Sequence, residues 1–380
     1  MPKHLPRRLR GAHPFVVMAT LPVLAAAACS DAPTAAPDAV SSETLEAAGP
    51  PSDVSLHLDD IVLRPGVSAD LHVRLYVNEA LPCRDPKRTA LAIHGVNHTA
   101  ASWETFAEAF FTGSRGRHGQ QLCQIAALDH VGHGLSGLPE GDLLFGEVTI
   151  QDYARSVVGV LDRLFRRGLR PAIIMAHSQG TLTIQTVQQM LANEGTSLAR
   201  RFRVRDVVLL GTQGPAEAPN QIPPGTDQLL FSLITATPER GTFVLGPPPV
   251  FQALWFSNLT NVLSSRAPTV GEIAARGWAS DVPLFAILQN VELDPSIDPF
   301  PRPSVSAGVF GPGSGTRLQM VDFADDPFSL TPDAEEAYRH LTGDNTLSGF
   351  VTLTDPANEA IHDFPITDPA LVRAAIDLPR

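Results

Sequence analysis

From residue 53 onward the chain alternates between two spacings of apolar residues. In VSLHLDDIVL (54–63) and LHVRLYVNEA (71–80) they recur at every second position, the spacing of a half-buried strand. RTALAIHG (88–95) is a short continuous apolar run, as in a strand covered on both faces. ASWETFAEAFF (101–111) reads as a helix, and LCQIAALDHVG (122–132) as a strand running into a glycine turn. In IQDYARSVVGVLDRLFRRG (150–168), Tyr153, Val157, Val160, Leu161 and Leu164 form one helical stripe, with Gly168 as the stop. RPAIIMAHSQG (170–180) is again strand-like, TLTIQTVQQMLANE (181–194) helical, and VRDVVLLGTQG (204–214) strand-like. Strands alternating with helices imply parallel crossovers and a sheet covered on both faces. The two leading strands imply an antiparallel edge.

This rhythm stops between 216 and 305. Proline-rich turns (APNQIPPG, LGPPPV, DPSIDPFPRP) separate apolar helical pieces such as QLLFSLI, VFQALWFSNLTNVL and LFAILQNV, which reads as an insertion. Afterwards TRLQMVDFA (316–324) returns to strand, PDAEEAYRHL to helix, GFVTLTD to strand, and PALVRAAIDL is a last helix. The expected organisation is a leader at 1–28, a linker at 29–52, a first core segment at 53–215, a helical insertion at 216–305 and a second core segment at 306–380.

Composition changes the picture mainly at the start. The 380 residues are 43% hydrophobic and 18% charged, ordinary for a globular chain with a large core. MPKHLPRRLRG followed by PFVVMATLPVLAAAAC has the basic start, apolar stretch and small-residue end of an export signal. The apolar run is short for a membrane span and contains Pro22. Its end resembles a bacterial lipoprotein signal, in which Cys29 would be lipidated and tether the chain to a membrane, although Ala26 stands where that pattern prefers leucine. Cleavage and release as a secreted protein is the alternative, and a disordered N-terminus with a chance cysteine the bland one. The formal charge is −12. Loss of Lys3, Arg7, Arg8 and Arg10 with the leader would leave about −16. No block of lysine and arginine stands out after residue 30, so the balance does not favour nucleic acid. Cys83 and Cys123 are either an exported protein's disulfide or two buried thiols.

AHSQG (176–180) carries the chemistry. A strand that ends in a tight turn and opens a helix presents Ser178 at the carboxyl edge of a sheet. Ala176 and Gly180 are small enough to let that turn close. This resembles the nucleophile elbow of the α/β-hydrolase fold, with alanine at the first small position. The resemblance covers about residues 55–380 and implies a mostly parallel central sheet, helices on both faces and a helical cap.

It also implies an order of nucleophile, acid and histidine. His362, in the loop after the last apolar strand, matches the family's histidine, whereas His340 lies near a helix end. MVDFADDPFSLTP resembles the acid loop. Asp326 is the expected acid, Asp325 the alternative, and Asp322 falls inside the strand pattern. The amides of Gln179 and of Val96, which follows the His94–Gly95 pair, would form the oxyanion hole. LDHVGHGLSG resembles another family stretch and reads as structural support. His177, Trp255 and Phe256 are candidates for substrate binding, the last two in an apolar cap pocket. The family's antiparallel second strand would bring Cys83 to Cys123.

The expected activity is a serine esterase acting through an acyl-enzyme on a small-molecule or polymeric ester, with no cofactor. A lactonase, a polyester or oxidised-polymer hydrolase, or an amidase would use the same triad. A silent lipoprotein binding an apolar ligand is the alternative of another class. The spacings of His94 with His98 and of His130 with His133 occur among metal ligands. Glycines interrupt both pairs, and no metal is expected. The sequence does not fix the oligomeric state.

Overall fold

Eight strands form one sheet: β1 (Ser52–Arg64), β2 (Val67–Val77), β3 (Thr89–Ile93), β4 (Gln124–Leu128), β5 (Ile173–His177), β6 (Asp206–Leu210), β7 (Arg317–Phe323) and β8 (Phe350–Leu353). Their order is β1-β2-β4-β3-β5-β6-β7-β8. β2 is antiparallel to both neighbours, and every pairing from β4 to β8 is parallel. The expected mostly parallel sheet with an antiparallel edge is therefore present. The computed structural model describes residues 52–81, 83, 88–95, 98–112, 122–141, 148–212, 214–218, 236–237, 242–243, 303–324, 326, 331–354 and 368–377. The expected leader, the linker with Cys29 up to residue 51, and the apolar pieces of the insertion lie outside these residues.

Continuous apolar runs became central strands because both faces of the sheet are covered. Along β3, Leu91 and Ile93 join one core while Ala90 and Ala92 join the other. β5 alternates likewise, with Ile174 and Ala176 on one face and Ile173 and Met175 on the other. The first face packs against α2 (Ile150–Arg166), α3 (Gln179–Asn193), α4 (Leu198–Phe202) and α5 (Thr331–Thr342). The second is covered by α1 (Glu104–Thr112) and α6 (Pro369–Ala375), where Trp103, Phe106, Phe110 and Val372 meet. Fully burying one such large side chain contributes about 1.5–3 kcal/mol.

β1 is one strand with a bulge at its double aspartate. Asp60 takes φ 53°, and its N–H donates to Asp70 Oδ1 at 3.0 Å. The short helix α4 is absent from the sequence reading. Ser197 caps its start, and it ends on Arg203 at φ 63°, without the glycine that marks most left-handed stops.

The two ends of the 216–305 segment lie side by side. Ala216 N–H donates to Pro303 O at 3.0 Å, and Val305 N–H to the Glu217 carboxylate at 3.0 Å. The chain thus leaves the core after β6 and returns beside its point of departure before β7. An antiparallel pair, Ala236–Thr237 with Thr242–Phe243, lies within that segment.

Candidate active site

The β5–α3 junction has the geometry that AHSQG promised. β5 ends at His177, α3 begins at Gln179, and Ser178 alone makes the turn with φ 50°, ψ −120°. A side chain rarely adopts that conformation, and it persists only where the surroundings enforce it. They do so through backbone bonds on both sides. Ser178 N–H donates to Leu210 O at 3.1 Å, across to β6. Ser178 O accepts from Thr181 N–H at 2.8 Å and from the Thr181 hydroxyl at 2.6 Å.

Two glycines clear the space. A Cβ on Gly180 would stand 2.6 Å from Ile93 O and 2.8 Å from His94 O, so α3 approaches the end of β3 without a side chain. A Cβ on Gly95 would stand 2.7 Å from the Cβ of Ser178 itself. The His94–Gly95 loop and the serine turn are therefore in direct apposition. Gln179 N–H is the first amide of α3, one of the helix-start donors that have no acceptor within the helix. Val96, the other expected oxyanion donor, lies outside the described residues.

The remaining expected residues divide. Asp326 is described and buried, three residues beyond β7, with its N–H donating to Phe323 O at 3.0 Å. β5 and β7 are parallel, so Ser178 and Asp326 follow strand ends on the same edge of the sheet. Asp325, His362, Trp255 and Phe256 lie outside the described residues. Asp322 is buried within β7 and accepts from the Thr331 hydroxyl at 2.7 Å, which anchors the start of α5. His340 Nε2 lies 2.7 Å from Val305 O, tying α5 to the returning chain. His177 is buried, its ring centroid 5.4 Å from that of His98. Cys83 and Cys123 stand with Cα atoms 5.1 Å apart and their sulfurs adjacent, where β2 has ended and β4 begins.

A buried histidine group beneath the site escaped the sequence reading. The rings of His94 and His130 are 4.7 Å apart, those of His94 and His133 5.0 Å, and Tyr153 lies 4.8 Å from His130. Neighbouring parallel strands were the available signal, because the loops after β3 and β4 carry these residues. His94 Nε2 accepts the His130 N–H at 3.0 Å, while Nδ1 lies 2.7 Å from Gly95 O. A ring that accepts at Nε2 and donates at Nδ1 is neutral. Burial, then the neighbouring His130 and His133, holds its basicity well below the ordinary histidine range. Burial, then His133, pushes His130 down to about 3. Among the described residues no group of histidine, cysteine, aspartate and glutamate has the arrangement to hold a metal ion.

Asp129 organises the same loop. Its carboxylate accepts from Ala100 N–H at 2.6 Å and Leu135 N–H at 3.1 Å, and lies 2.7 Å from His72 Nδ1. A Cβ on Gly134 would fall 2.3 Å from it, so this glycine keeps φ 50° and no side chain. LDHVGHGLSG is structural support, as its pattern implied.

A family model described as "Alpha/beta hydrolase family" matches residues 90–348. Similar solved structures include the peroxisomal alpha-beta-hydrolase Lpx1 of Saccharomyces cerevisiae, at 14% identity and TM-score 0.47 over 87% of this chain and 88% of that one. Another is the 2-hydroxy-6-oxo-6-phenylhexa-2,4-dienoate hydrolase of Rhodococcus sp. strain RHA1, at 15% and 0.46 over 83% and 95%. A third is the esterase RhEst1 of Rhodococcus sp. ECU1013, at 16% and 0.46 over 84% and 94%. No curated protein matches the chain. With its eight-stranded sheet, its strained serine turn and a family match over most of its length, the chain belongs to the alpha/beta hydrolase family.

Proposed function

We propose that this hydrolase is a serine carboxylesterase. The observation that carries the reading is Ser178 at φ 50° on the β5–α3 turn, with Gly95 and Gly180 keeping the space around it clear. Such a turn holds a hydroxyl out at the sheet edge, where substrate reaches it.

In this mechanism Ser178 Oγ attacks the ester carbonyl carbon while His362 takes its proton. The oxyanion rests on the amides of Gln179 and Val96. His362 then gives the proton to the departing alcohol oxygen, leaving an acyl group on Ser178. Water, deprotonated by His362, attacks the acyl carbon and restores the serine. Asp326, or Asp325 beside it, orients His362 and stabilises the imidazolium. The segment 216–305 forms the cap, in which Trp255 and Phe256 line an apolar acyl pocket, and His177 borders the site beneath. The adjoining ends at Ala216 and Pro303 support an insertion of this kind. The chain is exported, tethered through a lipidated Cys29 or released, and Cys83 and Cys123 form a disulfide.

The test is hydrolysis of p-nitrophenyl esters across acyl lengths by wild type and Ser178→Ala, with labelling by a serine-directed phosphonate. Activity lost by ~10³-fold or more in the variant, with labelling of wild type alone, is the expected result. Undiminished hydrolysis by the variant overturns the assignment of the serine. An unlabelled, inactive wild type points instead to a silent binding protein.

A further inference from the structure

The acidic total charge conceals a basic face, contrary to the expectation that no arginine block stands out. LFRRGLR and ARRFRVR lie far enough apart in sequence to pass unnoticed, but the fold brings them together. Arg166, Arg167 and Arg170 surround the end of α2, and Arg200, Arg201, Arg203 and Arg205 run through α4 to the start of β6; all seven are exposed. Arg201 bridges the two groups through Asp162 at 2.8 Å.

These residues occupy the amino-terminal edge of the sheet, opposite the Ser178 turn. A row of backbone bonds defines that edge: Cys123 N–H to Arg88 O at 2.9 Å, Ala172 to Thr89 at 3.0 Å, Arg205 to Ala172 at 2.7 Å and Arg317 to Arg205 at 2.7 Å. Ser52, where β1 starts, pairs with Val77, and Asn78 N–H donates to Cys123 O, so β1 also begins on this edge. Arg167 donates to His57 O in β1 at 3.2 Å, which makes the arginine face continuous with that strand.

The face carries a net positive charge, because its seven arginines and Arg317 outnumber the carboxylates of Asp162, Glu194, Asp206 and Asp377. Arg166, Arg167 and Arg200 donate to main-chain carbonyls, which leave the positive charge in place. Among the described residues no ion pair joins Arg166, Arg167, Arg170, Arg200, Arg203 or Arg205 to a carboxylate. Arg201 and Arg317 are the paired members, with Asp162, Glu194, Asp206 and Asp377. The negative end of the α2 dipole accounts for arginine at 166 and 167. Arg203 stands in the same way at the end of α4, whereas Arg205 belongs to neither helix end.

We propose that this edge docks on an anionic phospholipid surface, with the Ser178 edge facing away from it. Guanidinium groups bind phosphate oxygens in a planar two-pronged fashion, and they lose less hydration than ammonium groups in doing so. A flat bilayer meets one face of the molecule, so the negative charge elsewhere does not oppose it. Ser52, the start of β1, stands on the same edge, and a lipid anchor at Cys29 is a separate proposal. The inference does not require that anchor.

The experiment compares full-length wild type with the quadruple variant Arg166→Gln, Arg170→Gln, Arg203→Gln, Arg205→Gln, both with the same N-terminus. Co-sedimentation is measured with vesicles of phosphatidylcholine alone and with added phosphatidylglycerol. Wild type should prefer the anionic vesicles, and the four substitutions should reduce that preference by on the order of 10²-fold or more. Unchanged ester hydrolysis and thermal midpoint show that the variant is folded. Salt gives a second reading without substitution: raising ionic strength from ~0.1 to ~1 M contracts the screening length from ~10 to ~3 Å and should release wild type. A wild type indifferent to headgroup charge, or a variant that keeps the preference, overturns the proposal. Release of wild type by duplex DNA at equal phosphate concentration would reassign the face to nucleic acid and overturn it as well.

Discussion

Acid should unfold this protein partly through His130. Its ring is fully buried against His94, His133 and Tyr153, and among the described residues neither ring nitrogen has a hydrogen-bond partner. The folded protein therefore keeps it neutral down to about 3. In the unfolded chain a histidine takes up its proton near its ordinary value of ~6.5. Between those two values the unfolded state binds one proton more than the folded state. Stability is thus complete above ~6.5 and is lost as the pH falls toward 3, with a limiting slope of about 1.4 kcal/mol per pH unit. Integrated from neutrality to pH 5, His130 alone removes about 2 kcal/mol. His94 acts in the same direction, because burial lowers its basicity too. The assay is urea unfolding of wild type and His130→Phe at about pH 7 and pH 5. Wild type should lose about 2 kcal/mol more than the variant over that interval. Equal losses would show that His130 is not the group responsible, and would refute the neutral buried ring.

Other substitutions test the remaining geometry. Gly95→Ala drives a methyl into the Ser178 Cβ, 2.7 Å from its ideal position, and should lower ester kcat by ~10²-fold or more in a protein folded by circular dichroism. Ser178→Gly should be inactive yet more stable than Ser178→Ala by about 1–2 kcal/mol in thermal unfolding, because glycine accepts φ 50° without strain. Asp129→Asn should cost about 2–4 kcal/mol, since one buried carboxylate serves Ala100, Leu135 and His72 together. Thiol titration of unfolded, unreduced protein should find Cys83 and Cys123 blocked, and reducing them should destabilise the fold by about 2–4 kcal/mol; two titratable thiols from this pair would exclude the bond.

The framework was legible because it depends on local pattern. The continuous apolar runs of β3, β5 and β6 announced a sheet covered on both faces, and Ala176-His177-Ser178-Gln179-Gly180 announced its turn. What escaped depends on adjacency across the sheet. His94 and His130 are 36 positions apart, and only the parallel pairing of β3 with β4 brings their loops together. The arginine edge was hidden by arithmetic, since a net charge averages over a surface that the fold divides into unlike faces. Helix α4 was hidden by its brevity and by Arg203, a stop with no glycine to mark it.

The turn at Ser178 also bears on how such a sequence drifts over time. A position at φ 50°, ψ −120° gains stability from glycine, so random substitution there has a thermodynamic bias away from serine. Serine lasts at such a place only while descendants that lose the hydroxyl are removed. Relatives freed from chemistry should therefore show glycine at this position before their cores have changed. If the proposed role of Ser178 holds, the residue at this turn works as a clock for retirement from catalysis.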